Sequence, residues 1–124
     1  MVRIESGSLK MNAGSTIIGN ASCGVSIRGG TFTMSGGIIT GNTASENGGG
    51  VYNNRYGSFK KIGGTITGYN SDQANGNVVK DEEGVIARKG HAVYVTSVRK
   101  ETTAGPEVNL YDENGKKASG AWDD

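Results

Sequence analysis

The sequence is poor in cysteine, proline, net charge and long apolar runs. It holds one Cys and one Pro in 124 residues, and a single cysteine excludes a disulfide bond within the chain. The formal net charge is +1, so the concentrated basic surface that binds phosphates is missing and we expect no nucleic acid as a partner. A membrane-spanning helix needs an apolar run of about 18 residues, and a signal peptide needs a shorter one near its start. The sequence has neither, so we expect no transmembrane segment, and any export signal would lie outside this chain.

Glycine, in contrast, is abundant, and it recurs with a short phrase of apolar residues. There are 22 glycines, while only 34% of the residues are hydrophobic. Three phrases align: Gly7-Ser8-Leu9-Lys10-Met11, Gly30-Thr31-Phe32-Thr33-Met34 and Gly57-Ser58-Phe59-Lys60-Lys61. A second phrase follows each of them, centred on Val25, Val51 and Val93. A period in the twenties is typical of a solenoid, in which each repeat stacks on the next.

Within the phrases apolar and polar residues alternate, which predicts short strands. Phe32 and Met34 share one face, and Thr31 and Thr33 share the other, as in a half-buried strand. We therefore expect Phe32, Met34, Ile39 and Val51 to be buried and Thr31, Thr33 and Tyr52 to lie largely outward. The pairs Gly36-Gly37 and Gly63-Gly64 can adopt positive φ and turn the chain sharply between strands.

The string TFTMSGGIITGNTASENGGGVYN, with its repeats, resembles a known family of solenoids. It is similar to the glycine-rich right-handed parallel β-helix repeats of bacterial surface and adhesin-like proteins, a branch of the pectate-lyase-like superfamily. The similarity covers residues 4–70 and 90–95. It implies an all-β fold, a short right-handed parallel β-helix (β-solenoid) of about three coils with a C-terminal capping segment.

This resemblance divides the chain into coils, an insertion and a tail. Residues 1–95 are expected to form the coils, with a polar insertion at about 72–89, and residues 96–124 a C-terminal cap or tail. Val78-Val79 and Val85-Ile86 flank a charged turn, which predicts a small hairpin or lateral flap within the insertion.

Lys61 departs from the repeat, because it stands where Met11 and Met34 stand in the other phrases. Two interpretations remain open at this position. Either Ile62 takes the inward place through a bulge, or the strand frays.

Two columns of polar residues could be mistaken for binding sites. Cys23, Gly49 and His91 align, but Cys and His two coils apart are separated by about 9.6 Å. Zinc ligands sit about 2.3 Å from one shared ion, so we expect no metal site and no cofactor. Asparagines end the first phrase of each repeat at Asn20, Asn42 and Asn70. They are expected to form a stacked ladder, the alternative being polar ligands for a sugar.

Aromatic residues supply a further candidate ligand site. Ser26, Tyr52 and Tyr94 align and are expected to face outward, with Tyr52 and Tyr94 as possible ligand-facing aromatics. The alternative is that the tyrosines only stabilise the sheet by contacting each other.

Carboxylates are too scattered to predict catalytic residues. The repeats contain only Glu5 and Glu46, and the acidic cluster Asp81-Glu82-Glu83 falls in the insertion. Polysaccharide cleavage needs carboxylates that converge on one face. Asp72 with Asp81 as a calcium pair is the remaining alternative, and we expect no enzyme.

The sequence therefore favours a non-enzymatic structural or adhesive β-helix module of a bacterial surface or secreted protein, located extracellularly or at the cell surface. We expect a C-terminal fragment of a longer repeat array. The alternative is a carbohydrate-binding or carbohydrate-processing β-helix fragment; ice binding would need a regular array of threonines, which is broken here. We expect a homo-oligomer through the exposed edge of the N-terminal coil near Ile4 to Met11, with a surface glycan or protein as a possible further partner.

Overall fold

The computed structural model describes residues 1–87 and 90–95, and within them every regular element is a β-strand. The cap or tail predicted at 96–124 lies outside the described residues. The ten strands are β1 (Val2–Ile4), β2 (Ser8–Met11), β3 (Thr16–Ile18), β4 (Val25–Ile27), β5 (Thr31–Thr40), β6 (Thr43–Ala44), β7 (Val51–Asn53), β8 (Ser58–Ile66), β9 (Val78–Val79) and β10 (Val93–Val95). The all-β prediction is confirmed. None of the described residues belongs to a helix long and apolar enough to cross a membrane.

The strands form three parallel sheets that the chain visits in turn. The first sheet has the order β1-β4-β7-β10. In the second sheet β5 pairs with β2 and β3 and also with β8, and the third sheet pairs β6 with β9. Neighbours within a sheet are mostly three strands apart in chain order, so each strand lies against its counterpart from the preceding repeat.

The register of these pairs reproduces the alignment of the repeated phrases. Leu9 lies opposite Phe32, and Phe32 lies opposite Phe59. Val25 likewise lies opposite Val51, and Val51 lies opposite Val93. Because equivalent residues of successive repeats are Cα partners, similar side chains stack in columns across the sheets.

The core consists of these columns. Phe32, Met34, Ile39 and Val51 are each 0% exposed, as predicted. The rings of Phe32 and Phe59 stack with centroids 5.4 Å apart and planes within 9°. Thr31, Thr33 and Tyr52 lie on the other face of their strands, but they are half-buried rather than largely exposed.

At Lys61 the structure has the bulge of the first sequence interpretation, but Ile62 does not take the inward place and the strand does not fray. Met34 is opposite Lys61 and the next residue, Ser35, is opposite Gly63, so Ile62 is the extra residue of a bulge. Ile62 is nevertheless 45% exposed, and β8 continues to Ile66 without fraying. Lys61 keeps the place of the methionines and is half-buried.

Replacing Lys61 with methionine should raise the free energy of unfolding by about 1 kcal/mol near neutral pH, because it restores an apolar side chain to the column. Burial lowers the pKa of Lys61 from its ordinary value of 10.5. The unfolded chain therefore holds this proton more tightly, and the wild type gains stability as the pH rises from the folded pKa towards 10.5. The advantage of Lys61→Met should shrink over that window, which urea unfolding at a series of alkaline pH values measures. A constant difference at all pH values would contradict this account.

The stretch predicted as an insertion contains two loops with a strand between them. The first loop bends at Asp72, where the Gly76 amide donates to the Asp72 carbonyl. Val78–Val79 then forms β9 and pairs with β6. Val79 also begins the small hairpin that was predicted, because its carbonyl accepts from the Ala87 amide across the charged turn. Beyond β9, Lys80 and Ile86 form an isolated antiparallel bridge around a turn.

Candidate functional site

A ladder of asparagine side chains runs along one corner of the repeats, which follows β3, joins β5 to β6 and precedes β9. Asn42 is central and fully buried: its Oδ1 accepts from Asn20 Nδ2 at 2.7 Å, and its Nδ2 donates to Asn77 Oδ1 at 2.8 Å. Asn77 Nδ2 in turn donates to the carbonyls of Ile39 and Thr67. The amides thus join three successive repeats and satisfy backbone groups at the corner.

The predicted ladder is confirmed, but its third member was wrong. Asn70 is exposed, and Asn77 occupies the ladder position. The loop after Tyr69 adds residues before the chain reaches the ladder corner. Counting from Ile66 by the spacing of the earlier repeats therefore selects Asn70, which comes before the corner. A signal was present in the sequence, since Asn20, Asn42 and Asn77 each follow a glycine and Asn70 does not.

His91 links the loop after β9 to β9 itself through hydrogen bonds. It is fully buried, its Nδ1 accepts from the Val79 amide at 2.8 Å, and its Nε2 lies 2.9 Å from the Ala87 carbonyl, to which it donates. The Tyr69 ring packs on it at a tilt, with centroids 5.4 Å apart. Both imidazole nitrogens are therefore engaged with backbone groups, which is a structural arrangement.

Cys23 belongs to the same column as His91 and is also buried. Its Sγ lies 3.5 Å from Met1 Sδ, and burial raises the pKa of the thiol. A thiol in this state is a poor nucleophile. Within residues 1–87 and 90–95, three or more histidine, cysteine or acidic side chains do not gather into a group that could hold a metal ion.

Asp72 and Asp81, the alternative calcium pair, each stabilise their own turn. Asp72 Oδ1 accepts from the amides of Ala74 and Asn75, and these hydrogen bonds, Asn75 foremost, lower the pKa of Asp72. Asp81 Oδ1 accepts from the amides of Glu83 and Val85. Each carboxylate therefore stabilises the turn of its own loop, and the two loops are different.

The tyrosine column has the predicted members and register, but Ser26 is more buried than expected. Tyr52 lies opposite Tyr94, and their rings stack with centroids 6.1 Å apart and planes within 7°. On the other side Tyr52 lies opposite Ser26. Ser26 was expected to face outward freely, but it is only 4% exposed, because the larger side chains of Arg3 and Tyr52 flank it in the column.

A surface cavity of about 290 Å³ opens beside Tyr52. Its walls include Ser26, Arg28, Glu46, Asn47, Tyr52 and Asn54. The sequence pattern pointed to Tyr52 and Tyr94 together, whereas Tyr94 does not line this cavity. Glu46 and Asn47 belong to the turn after β6, and the fold places this turn beside Tyr52. The turn contains no sequence motif that would have predicted this.

No protein-family model, curated protein or solved structure matches this chain. Its site is therefore characterised by the geometry of its own residues.

Proposed function

We propose that this chain is a non-enzymatic structural or adhesive module built as a short right-handed parallel β-helix, part of a bacterial surface or secreted protein. The architecture is supported by parallel strands that return to the same three sheets in register. The observation that carries the proposal is the asparagine ladder, because it repeats one corner in three successive coils. A body made of such repeats presents flat, extended faces suited to a stalk or an adhesive surface.

The absence of enzymatic activity is tested directly with polysaccharides. Purified protein incubated with pectin, alginate, chitin and glucans, with and without calcium, should release no reducing sugar and no unsaturated product. The reason is that Asp72 and Asp81 are committed to backbone amides of their own loops. Turnover that is lost on changing Asp81 or Glu82 to alanine would overturn the proposal.

Self-association is proposed through the first coil, between Ile4 and Met11. Within the described part of the chain, β1 and β2 each pair with a strand on one edge alone, and an open edge is a template for another chain. Leu9 on β2 is 37% exposed. A two-fold axis would pair this surface with itself and end its growth, giving a homodimer or another closed oligomer.

Light scattering of the 124-residue chain at micromolar concentration should give a multiple of the 12.8 kDa chain mass. Leu9→Lys places a charge in the interface and should shift the mass towards the monomer. A monomeric mass for the wild type, unchanged in Leu9→Lys, would contradict self-association.

The alternative function, carbohydrate binding, is favoured by one specific observation. This is the cavity beside Tyr52, where an aromatic ring and several polar side chains border the same space.

A further inference from the structure

We propose that the cavity beside Tyr52 binds a single neutral pyranose ring, stacked on the face of Tyr52 that Tyr94 leaves uncovered. This inference rests on the adhesive form of the proposed function, for which it names a ligand class and a site. The first step in the argument is the order of the column that contains Tyr52.

The column runs through Arg3, Ser26, Tyr52 and Tyr94, one residue from each strand of the first sheet. Tyr94 covers one face of the Tyr52 ring in a near-parallel stack. On the opposite side the neighbour is Ser26, whose side chain is too small to cover a ring. Ser26 and Tyr52 both border the cavity and Tyr94 does not, so the cavity lies on the Ser26 side of the ring. The space is the position that a third stacked ring would take.

The side chains around this space suit a sugar ring better than an aromatic one. Arg28, Glu46, Asn47 and Asn54 bring both donors and acceptors to the border. Asn54 Oδ1 accepts from the amides of Tyr56 and Gly57, which fixes the carboxamide and leaves its Nδ2 to donate. A pyranose has C–H groups on its face, which match the negative face of a tyrosine ring, and hydroxyls around its edge. Arg28 and Glu46 are the charged side chains of the lining and offset each other, while the amino group of Met1, which also lines the cavity, donates to Asn20 Oδ1; this balance favours a neutral sugar over a charged one.

The size of the cavity limits the ligand to one ring. Its volume of about 290 Å³ lies just below the range for small-molecule sites, about 300–1,000 Å³. A terminal monosaccharide of a glycan fits this description, whereas a long bound segment of polysaccharide would extend beyond it.

Saturation-transfer NMR on the full chain tests the site, with methyl glycosides of glucose, galactose, mannose and N-acetylglucosamine as probes. At least one of them should receive saturation from the wild-type protein. Tyr52→Leu removes the ring face and should weaken the binding of that glycoside about tenfold, a change of about 1.4 kcal/mol. The matched control is Tyr56→Leu, since Tyr56 is 63% exposed, packs against Arg55 and does not line the cavity. It should bind as the wild type does.

Ser26→Tyr provides a second variant, because it adds a ring to the column and fills the cavity. It should lose saturation transfer while a cooperative thermal unfolding transition shows that the protein is still folded, which separates a filled site from an unfolded protein. Binding that survives in both Tyr52→Leu and Ser26→Tyr would overturn the proposal. So would transfer to phenol without transfer to any of the glycosides. A negative result for all probes would overturn the sugar site and leave the solenoid proposal intact, since the latter depends on strand register.

Discussion

Replacing Asn42 with alanine is expected to lower the free energy of unfolding by about 4 kcal/mol, because the substitution leaves several buried polar groups without partners. The Oδ1 of Asn42 accepts two hydrogen bonds, and the two hydrogens of its Nδ2 are shared among three acceptors at 2.8, 3.0 and 3.2 Å. The acceptors are the carbonyls of Ile17 and Thr40, which lose this donor, and the Oδ1 of Asn77, which keeps the Asn42 backbone amide as a donor. Each buried acceptor that loses its donor costs about 1–3 kcal/mol. The void left by the carboxamide adds to this loss.

Asn70→Ala is the matched control for this substitution, since it makes the same chemical change at an exposed asparagine in a neighbouring loop. It should alter the free energy of unfolding by no more than about 0.5 kcal/mol. Urea unfolding of both variants, followed by circular dichroism, measures the difference. Equal losses in the two variants would contradict the role given to the ladder.

The second large effect is expected from Gly37→Ala, at about 3 kcal/mol of destabilisation. Gly37 has a φ of 89°, which costs an alanine about 1–2 kcal/mol through the contact of its Cβ with its own backbone. The new Cβ would also lie 2.6 Å from the Ser15 carbonyl oxygen and 2.8 Å from Met11 Cε. Met11 Cε is the end of a flexible side chain and can move, but the Ser15 carbonyl is backbone of the preceding repeat, so the two repeats would have to separate here.

Gly14→Ala separates these two contributions. Gly14 has a similar φ of 84°, yet no heavy atom lies within 4 Å of the position its Cβ would take. It should cost about 1 kcal/mol, from the backbone alone. Thermal unfolding of the two variants gives the part of the Gly37 effect that comes from contact between coils. A Gly14→Ala loss as large as that of Gly37→Ala would show that coil contact adds nothing.

The repeated part of the fold could be predicted from the sequence because its columns place equivalent residues side by side. Phe32 and Phe59 were aligned by their phrases, and they are Cα partners in the structure. The same alignment predicted the Tyr52–Tyr94 pair. In a parallel stack the sequence period and the spatial neighbour coincide, so alignment of the repeats is itself a prediction of contacts.

Prediction was weaker where the number of residues differs between repeats. The loop after Tyr69 moved the ladder position from Asn70 to Asn77, and the bulge at Ile62 kept Lys61 in the methionine column. Which residue occupies the repeated position at each of these places depends on the conformation of a loop or bulge, and the repeat period does not specify that conformation. The preceding glycine, shared by all three ladder asparagines, was the local signal that went unused.

The candidate site was predicted only in part for a related reason. Tyr52 lies in a column and was found by alignment, whereas Glu46 and Asn47 lie in a turn that the repeats do not share. Burial of Ser26 also depends on the sizes of its two neighbours in the column, which a simple inward–outward alternation ignores.

The central claim is that equivalent residues of successive repeats lie side by side in parallel register, and a disulfide pair tests it most directly. Lys10 and Thr33 are Cα partners on β2 and β5, so their Cα atoms lie about 4.8 Å apart, within the range that a disulfide bridges. Lys10 and Thr31 share the same face, but a shift of two residues places them about 8 Å apart, beyond that range. In a Cys23→Ser background, mild oxidation should join Lys10→Cys to Thr33→Cys within one chain, as mass spectrometry of the linked peptides would detect. The pair Lys10→Cys with Thr31→Cys should stay largely reduced, and equal or preferential linkage of that second pair would contradict the register and the stacked coils that depend on it.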